Sequence, residues 1–201
     1  MVEFDVSPER TALLNIDVQN YFVQAAYEGD RVIGRVNQLA QVCRDAGILV
    51  IHTRHAFRPD GSNVGLLGAF VPPIRDGTLN EDSESAALHP DLVVDPADVV
   101  LVKPRFGAFH GTDLEVILRG RGVDSVIISG IATNVCCDTT AREANARDLR
   151  VFFMSDGTTV AGRGGEPVEA QRRTLELVGA VFAQVLSVDE MVAKIDRATR
   201  R

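Results

Sequence analysis

The chain has 201 residues, of which 45% are hydrophobic and 24% are charged, so it carries enough apolar material for one large core. The 28 acidic residues outnumber the 21 Lys and Arg, and a net charge of −7 offers no attraction to a nucleic acid. No apolar run approaches the roughly 20 residues that a membrane-spanning helix needs, and the N-terminal segment MVEFDVSPER carries acids where a signal peptide carries basic residues. We therefore expect a soluble, cytoplasmic, single-domain protein over residues 1–201 that binds neither nucleic acid nor membrane.

Apolar segments rich in β-branched residues alternate with segments of helical periodicity along the chain. The predicted strands are 11–16, 47–53, 98–103, 123–129, 149–154 and 180–185. The predicted helices are 29–46, 112–120, 134–148, 167–179 and 188–198. This alternation is typical of βαβ units and predicts an α/β fold, a three-layer α/β/α arrangement around a six-stranded, mostly parallel sheet.

Residues 55–96 interrupt the alternation with prolines, glycines and acids. A loop of that length inside a compact domain commonly encloses a substrate or contacts another subunit, and we expect one of these roles here. The glycines of residues 162–165 match neither of the common phosphate-binding glycine motifs, so we interpret that segment as a loop.

Three chemically active side chains follow three of the predicted strands. Asp17 comes directly after the first strand, Lys103 ends the third, and Cys136 follows the fourth in a turn that leads into a helix. Each has an ordinary structural alternative, as a turn residue, a surface lysine and a buried thiol. Because ligands bind at the carboxyl ends of parallel strands, we expect the three to share one site. A helix N-terminus close to Cys136 predicts a lowered thiol pKa.

The three cysteines are odd in number and form no C-x-x-C pair. This count excludes a disulfide framework and a four-thiolate zinc site. Cys43 and Cys137 are predicted to be core residues, which leaves Cys136 as the candidate nucleophile.

Three segments, TALLNIDVQNYF, VKPRFGAF and SGIATNVCCDTTAREA, resemble the signature segments of the isochorismatase-like cysteine hydrolases. The GIATNVC segment is especially similar to that of ureidoacrylate amidohydrolases and related N-carbamoyl amidohydrolases. The resemblance implies a catalytic triad of Asp17, Lys103 and Cys136, a cis peptide bond before Ala132, and an oxyanion site formed by the Ala132 and Cys136 amides. It also implies a homodimer or homotetramer.

The activity implied by the resemblance is hydrolysis of a C–N bond, other than a peptide bond, in a small amide or ureide. A thiol nucleophile would form a thioester or thiocarbamate with such a substrate, and no cofactor is expected. The candidate substrate-binding residues are Gln19, Phe22, Arg54, Phe106, Phe109 and Asn134.

No metal site is predicted, although the nicotinamidases of this family bind a metal through an Asp-x-His pair after the second strand. The corresponding segment reads His52-Thr53-Arg54-His55, with Arg54 where an acid is expected. His52 and His55 alone are an incomplete ligand set.

Three other interpretations of the sequence remain open. An isochorismatase-type vinyl-ether hydrolase would need the acid and the lysine but no thiol. A nicotinamidase-like amidase would use the same triad. A non-catalytic assembly subunit would be expected to lack one of the three residues, and all three are present.

Overall fold

Six parallel strands form one sheet in the computed structural model, which describes residues 2–162 and 166–200. The strands are β1 Thr11–Ile16, β2 Leu49–His55, β3 Val99–Lys103, β4 Ser125–Ile131, β5 Arg150–Thr159 and β6 Gln184–Leu186. Their order across the sheet is β3-β2-β1-β4-β5-β6, and every pair is parallel. The predicted α/β fold is therefore confirmed. The loop prediction for residues 163–165 lies outside the described part of the chain.

Helices cover both faces of the sheet. They are α1 Asn20–Ala25, α2 Gly29–Asp45, α3 Leu67–Phe70, α4 Pro72–Arg75, α5 Leu114–Gly120, α6 Asp138–Asn145, α7 Pro167–Val181 and α8 Val188–Thr199. A π-helical turn, Thr133–Cys137, precedes α6. None of the described helices has the length and apolar composition needed to cross a membrane.

The two faces of the sheet are buried in two separate clusters. Leu14, Ile128 and Phe153 pack with residues of α5, α6 and α7, whereas their neighbours Leu13 and Phe152 pack with residues of α2 and α8. Successive strand residues point to opposite faces, so a strand covered on both sides must be apolar throughout. This is why the central strands β1 and β4 read as continuous apolar runs and are buried along their whole length.

Gly130 brings β4 against β1 at the end of the sheet where the candidate catalytic residues emerge. Its φ is +111°, a value that favours glycine, and a Cβ atom there would lie 2.1 Å from the carbonyl oxygen of Ile16. The chain segments that follow these two strands, carrying Asp17 and Cys136, therefore start close together.

The segment between β2 and β3 contains no strand of the sheet, as predicted, and it forms a small apolar cluster of its own. Phe57, Ile74 and Leu79 are among the buried members of that cluster. Leu66 and Phe70 lie on its outside with 73% and 76% of their surface exposed. That this segment contacts a second subunit stays a prediction.

Candidate active site

The structure brings Asp17, Lys103 and Cys136 together at the carboxyl edge of the sheet. Lys103 starts from β3, two strands away from β1, and its side chain reaches across β2 until Nζ lies 2.7 Å from Oδ2 of Asp17. The Cys136 thiol is buried near both groups, and Lys103 lowers its pKa while Asp17 raises it. Asp17 and Lys103 are completely buried and Cys136 is 3% exposed. A buried acid, amine and thiol in mutual contact is an arrangement suited to nucleophilic catalysis.

The Lys103 ammonium has no free hydrogen. It donates to the carbonyl oxygens of Arg105 at 3.0 Å and Phe106 at 2.9 Å, and its third hydrogen faces the Asp17 carboxylate. Burial disfavours the charged form, but the Asp17 carboxylate and the Cys136 sulfur outweigh this effect and raise the pKa of Lys103. The group is therefore a permanent positive charge beside the thiol.

The two oxygens of the Asp17 carboxylate have different neighbours, Thr53 on one side and Lys103 on the other. Thr53 Oγ1 donates to Oδ1 at 2.6 Å and accepts a hydrogen bond from the Asp17 backbone N–H at 3.1 Å. Oδ2 forms the ion pair with the Lys103 ammonium at 2.7 Å and accepts no well-aligned hydrogen bond in the described part of the chain. Asp17 itself has a φ of 48°, in the left-handed region that Asp tolerates better than most residues. Oδ2 is thus placed to accept a proton.

The Cys136 thiol is protonated at rest, which corrects the expectation from the helix terminus. Burial raises its pKa to about 12, and the positive charge of Lys103 offsets this only in part. Cys136 also lies inside the π-helical turn, while α6 begins at Asp138. Desolvation therefore dominates the thiol, and a proton acceptor is needed at the moment of attack.

The turn that carries Cys136 begins with a cis peptide bond between Ile131 and Ala132, as the resemblance implies. The carbonyl oxygen of Ala132 accepts hydrogen bonds from the N–H groups of Val135 and Cys137, both at 3.1 Å. In the described part of the chain, the Ala132 N–H donates to no acceptor. It is therefore a free donor close to the nucleophile, of the kind that binds an oxyanion.

Gln19 does not fit the substrate-binding role expected for it. Its side chain is completely buried, and Nε2 donates to the carbonyl oxygens of His55 and Ala86 at 3.2 and 2.7 Å. Oε1 accepts the His55 backbone N–H at 2.7 Å. Both donors of the amide are used by the backbone, so we reassign Gln19 to holding β2 and the long connection in place.

Arg54 is also engaged by the backbone rather than facing the catalytic group. Its Nε donates to the carbonyl oxygen of Ala86 at 3.0 Å, and one terminal nitrogen donates to that of Glu81 at 2.9 Å. The guanidinium therefore anchors the segment between β2 and β3, and we reassign Arg54 to that role.

The aromatic candidates divide into two groups. The rings of Phe22 and Phe106 lie 6.2 and 5.7 Å from the His55 ring, next to the catalytic cluster. Phe109 is buried, and the guanidinium carbon of Arg147 lies 4.6 Å from the centre of the Phe109 ring. We therefore reassign Phe109 from substrate binding to packing. Asn134 is exposed and keeps its amide free in the described contacts.

His52 and His55 are not placed to bind the same metal ion. They are three residues apart on β2 and so point to opposite faces of the sheet. His52 Nε2 lies 2.9 Å from an oxygen of Asp98, and His55 Nδ1 lies 3.1 Å from the carbonyl oxygen of Arg105. Within residues 2–162 and 166–200, no three His, Cys, Asp or Glu side chains converge as a metal site.

Sequence reasoning missed the contact of Thr53 with Asp17. A period of two places Thr53 and His55 on the same face of β2, at the end of the strand that neighbours β1. If an Asp-x-His pair is aligned on His55, Thr53 rather than Arg54 takes the place of the acid. Aligned in this way, the sequence would have indicated Thr53 as a polar neighbour of Asp17.

The fold and this cluster of residues define an isochorismatase-like α/β hydrolase. Residues 11–190 match the family model described as "Isochorismatase domain", and the chain belongs to the isochorismatase family. The resemblance found in the sequence is thus confirmed.

Two curated relatives and one solved structure illustrate the similarity. The chain is 34% identical to nicotinamidase 3 of Arabidopsis thaliana over 93% of this chain and 89% of that protein. It is 30% identical to the ureidoacrylate amidohydrolase RutB of Methylorubrum extorquens over 94% of this chain and 87% of the relative. A cysteine hydrolase from Pseudomonas syringae pv. phaseolicola superimposes with a TM-score of 0.93 at 29% identity, covering 98% and 97% of the two chains.

Proposed function

We propose that the protein is a cysteine-dependent amidohydrolase that cleaves a C–N bond of a small amide or ureide. The observation that carries this proposal is the completely buried Asp17–Lys103 ion pair, with Nζ 2.7 Å from Oδ2, beside the buried Cys136 thiol. The names of the two curated relatives, a nicotinamidase and a ureidoacrylate amidohydrolase, support an amide or ureide as the substrate class.

In the first half-reaction, Oδ2 of Asp17 takes the thiol proton while the Cys136 sulfur attacks the substrate carbonyl carbon. The new C–S bond places a negative charge on the carbonyl oxygen, which the amides of Ala132 and Cys136 stabilise. Asp17 then gives its proton to the departing nitrogen. The C–N bond breaks, ammonia or an amine leaves, and a thioester or thiocarbamate remains on the sulfur.

In the second half-reaction, Asp17 takes a proton from a water molecule, which attacks the acyl carbon. The C–S bond breaks, and the sulfur regains its proton from Asp17. The product is a carboxylic acid, or a carbamate when the substrate is a ureide. The Lys103 ammonium stays charged throughout and stabilises the thiolate as it forms.

An ammonia-release assay tests the proposal on ureides, N-carbamoyl amino acids, biuret and aromatic amides including nicotinamide. Cys136→Ala should abolish the activity, and the neighbouring variant Cys137→Ala is the matched control, because it removes a second buried thiol that no step of the mechanism uses. If Cys136→Ala retained full activity, the covalent mechanism would be wrong. A vinyl-ether hydrolase, which needs no thiol, would instead release ammonia from none of these compounds, in the wild type or in either variant.

A further inference from the structure

His55 carries a buried nitrogen that the catalytic mechanism does not use. The side chain is 1% exposed, and its Nε2 has no hydrogen-bond partner in the described part of the chain. A buried polar atom without a partner is costly, and such atoms are uncommon in folded proteins. We therefore expect a bound ligand to supply the missing partner of His55 Nε2.

The hydrogen bonding of the ring shows which kind of group that is. Nδ1 lies 3.1 Å from the carbonyl oxygen of Arg105, which can only accept, so Nδ1 carries the hydrogen. A neutral imidazole has one donor and one acceptor nitrogen, and Nε2 is therefore the acceptor. Burial and the nearby Lys103 ammonium lower the pKa of His55 to about 4, so the ring stays neutral around pH 7. Since no set of three metal-ligating side chains converges within residues 2–162 and 166–200, the partner that fits Nε2 is a hydrogen-bond donor.

The His55 ring lies directly beside the catalytic groups. The carbonyl oxygen of Arg105 accepts hydrogen bonds from both His55 Nδ1 and Lys103 Nζ, at 3.1 and 3.0 Å, and the two residues are opposite each other in the β2–β3 register. Lys103 Nζ donates to the carbonyl oxygens of Arg105 and Phe106 and pairs with Asp17, and no hydrogen bond joins it to His55 Nε2. The catalytic cluster therefore does not itself satisfy this acceptor.

Three aromatic rings also pack around the imidazole. The centres of the Phe57, Phe106 and Phe22 rings lie 5.0, 5.7 and 6.2 Å from the centre of the imidazole. Phenyl rings carry no N–H or O–H, so none of the three can donate a hydrogen bond to Nε2.

We propose that His55 Nε2 accepts a hydrogen bond from an N–H of the substrate, and that this contact selects an amide or ureide nitrogen that carries a hydrogen over an ester oxygen. This inference rests on the proposed function, since it names the group by which the same site recognises an amide. His55 acts on specificity and positioning, and Asp17 and Cys136 perform the chemistry. A site built to satisfy a buried acceptor with a substrate N–H discriminates against the analogue that lacks it.

Two thiol reagents of nearly equal size test the inference without knowledge of the substrate. Iodoacetamide and methyl iodoacetate both alkylate a thiol: the sulfur forms a bond to the methylene carbon, iodide leaves, and the thiol proton is released. Only iodoacetamide has an N–H. The rates at Cys136 are measured by peptide mass mapping and divided by the rates of the same reagents with N-acetylcysteine, which removes their intrinsic difference in reactivity.

The wild-type protein should prefer iodoacetamide by about 10-fold or more after this correction, as expected for one buried hydrogen bond. In His55→Phe the two corrected rates should become about equal. The rate with iodoacetamide should fall, and the rate with methyl iodoacetate should change little. The exposed residue His110 provides the matched control, and His110→Phe should keep the full preference.

A wild-type preference near unity would overturn the inference without any variant, and so would a preference that survives in His55→Phe. Both results would leave the proposed function intact, because Cys136 would still be the labelled thiol. Failure of both reagents to label Cys136 in an active preparation would instead overturn the proposed function, and the role of His55 with it.

Discussion

Thr53 and Asp17 are joined by two hydrogen bonds through one hydroxyl group. Thr53 Oγ1 accepts the Asp17 N–H at 3.1 Å and donates to Asp17 Oδ1 at 2.6 Å. The hydroxyl therefore fixes both the backbone and the side chain of the acid. One carboxylate oxygen is held by β2, and the other is presented to the thiol.

Replacing Thr53 by Val should lower kcat by about 10- to 100-fold, because the carboxylate loses the donor that orients it as a base. Thr53→Ser keeps the hydroxyl and should stay within about threefold of wild type. Thr199→Val, near the end of α8, is the control for loss of a threonine hydroxyl. Steady-state kinetics and thermal unfolding of each variant check this, and a Val variant with wild-type kcat would remove Thr53 from the mechanism.

Asp17→Asn should reduce kcat/KM by about 10²- to 10⁴-fold, because an amide cannot carry the proton between thiol, leaving nitrogen and water. The substitution is nearly isosteric, so a folded variant is expected. A residual activity above about a tenth of wild type would mean that another residue moves the proton.

Lys103→Ala should both inactivate and destabilise the protein. It leaves the Asp17 carboxylate buried without its counter-charge, a change that typically costs about 3 to 5 kcal/mol. Lys103→Arg should not restore activity, because a planar guanidinium cannot reproduce the three directions of the ammonium hydrogen bonds. Lys194→Ala is the control, since Lys194 lies 3.6 Å from the exposed Glu3 on the far side of the fold from Lys103. Urea unfolding and ammonia release give the two readouts, and a fully active Lys103→Arg enzyme would contradict the expectation.

Acidification from pH 7.5 to pH 5 should destabilise the fold. Burial lowers the pKa of His55 to about 4 from its ordinary value of 6.5, and burial also lowers the pKa of His52. The unfolded chain therefore binds more protons in this range, so the stability that these rings contribute is present above pH 6.5 and is lost towards pH 4. The His55 ring alone accounts for about 2 kcal/mol between pH 7.5 and 5. Urea titrations at several pH values measure this, and constant or rising stability on acidification would contradict it.

Activity should survive prolonged treatment with EDTA, because His52 and His55 point to opposite faces of β2 and the proposed mechanism uses a thiol, an acid and an ammonium. Added Zn²⁺ should inhibit by binding the Cys136 sulfur. Elemental analysis together with assays after chelation checks both points. One tightly bound metal per chain, with activity lost on chelation and restored on reloading, would contradict the prediction.

The sequence predicted the sheet well because parallel strands covered on both faces are marked by continuous apolar runs, as in β1 and β4. It missed the short helices α1, α3 and α4, since helices of four to six residues are too short to show a period. It also placed β6 too early, at residue 180, where α7 continues to Val181.

For the site, the residues at the ends of strands could be predicted because topology alone gathers them at one edge. The sequence could not predict which way each side chain at that edge points. Gln19 and Arg54 both follow or end a strand, but their donors bind carbonyl oxygens of a distant segment. The helix terminus predicted a lowered pKa for Cys136, but burial, which has the largest effect, raises it. The burial of one side chain cannot be recognised from a local motif.

The anchoring of the segment between β2 and β3 has a consequence for how this enzyme can diversify. Gln19, Asn20 and Arg54 donate to the main-chain carbonyl oxygens of Glu81, Glu84 and Ala86, at distances of 2.7 to 3.0 Å. Every amino acid supplies such an oxygen, so exposed side chains such as those of Glu81 and Glu84 can be exchanged while the anchors remain. Exposed positions of this segment can therefore be varied, with Gln19, Asn20 and Arg54 kept, without loss of the hydrogen bonds that hold its main chain.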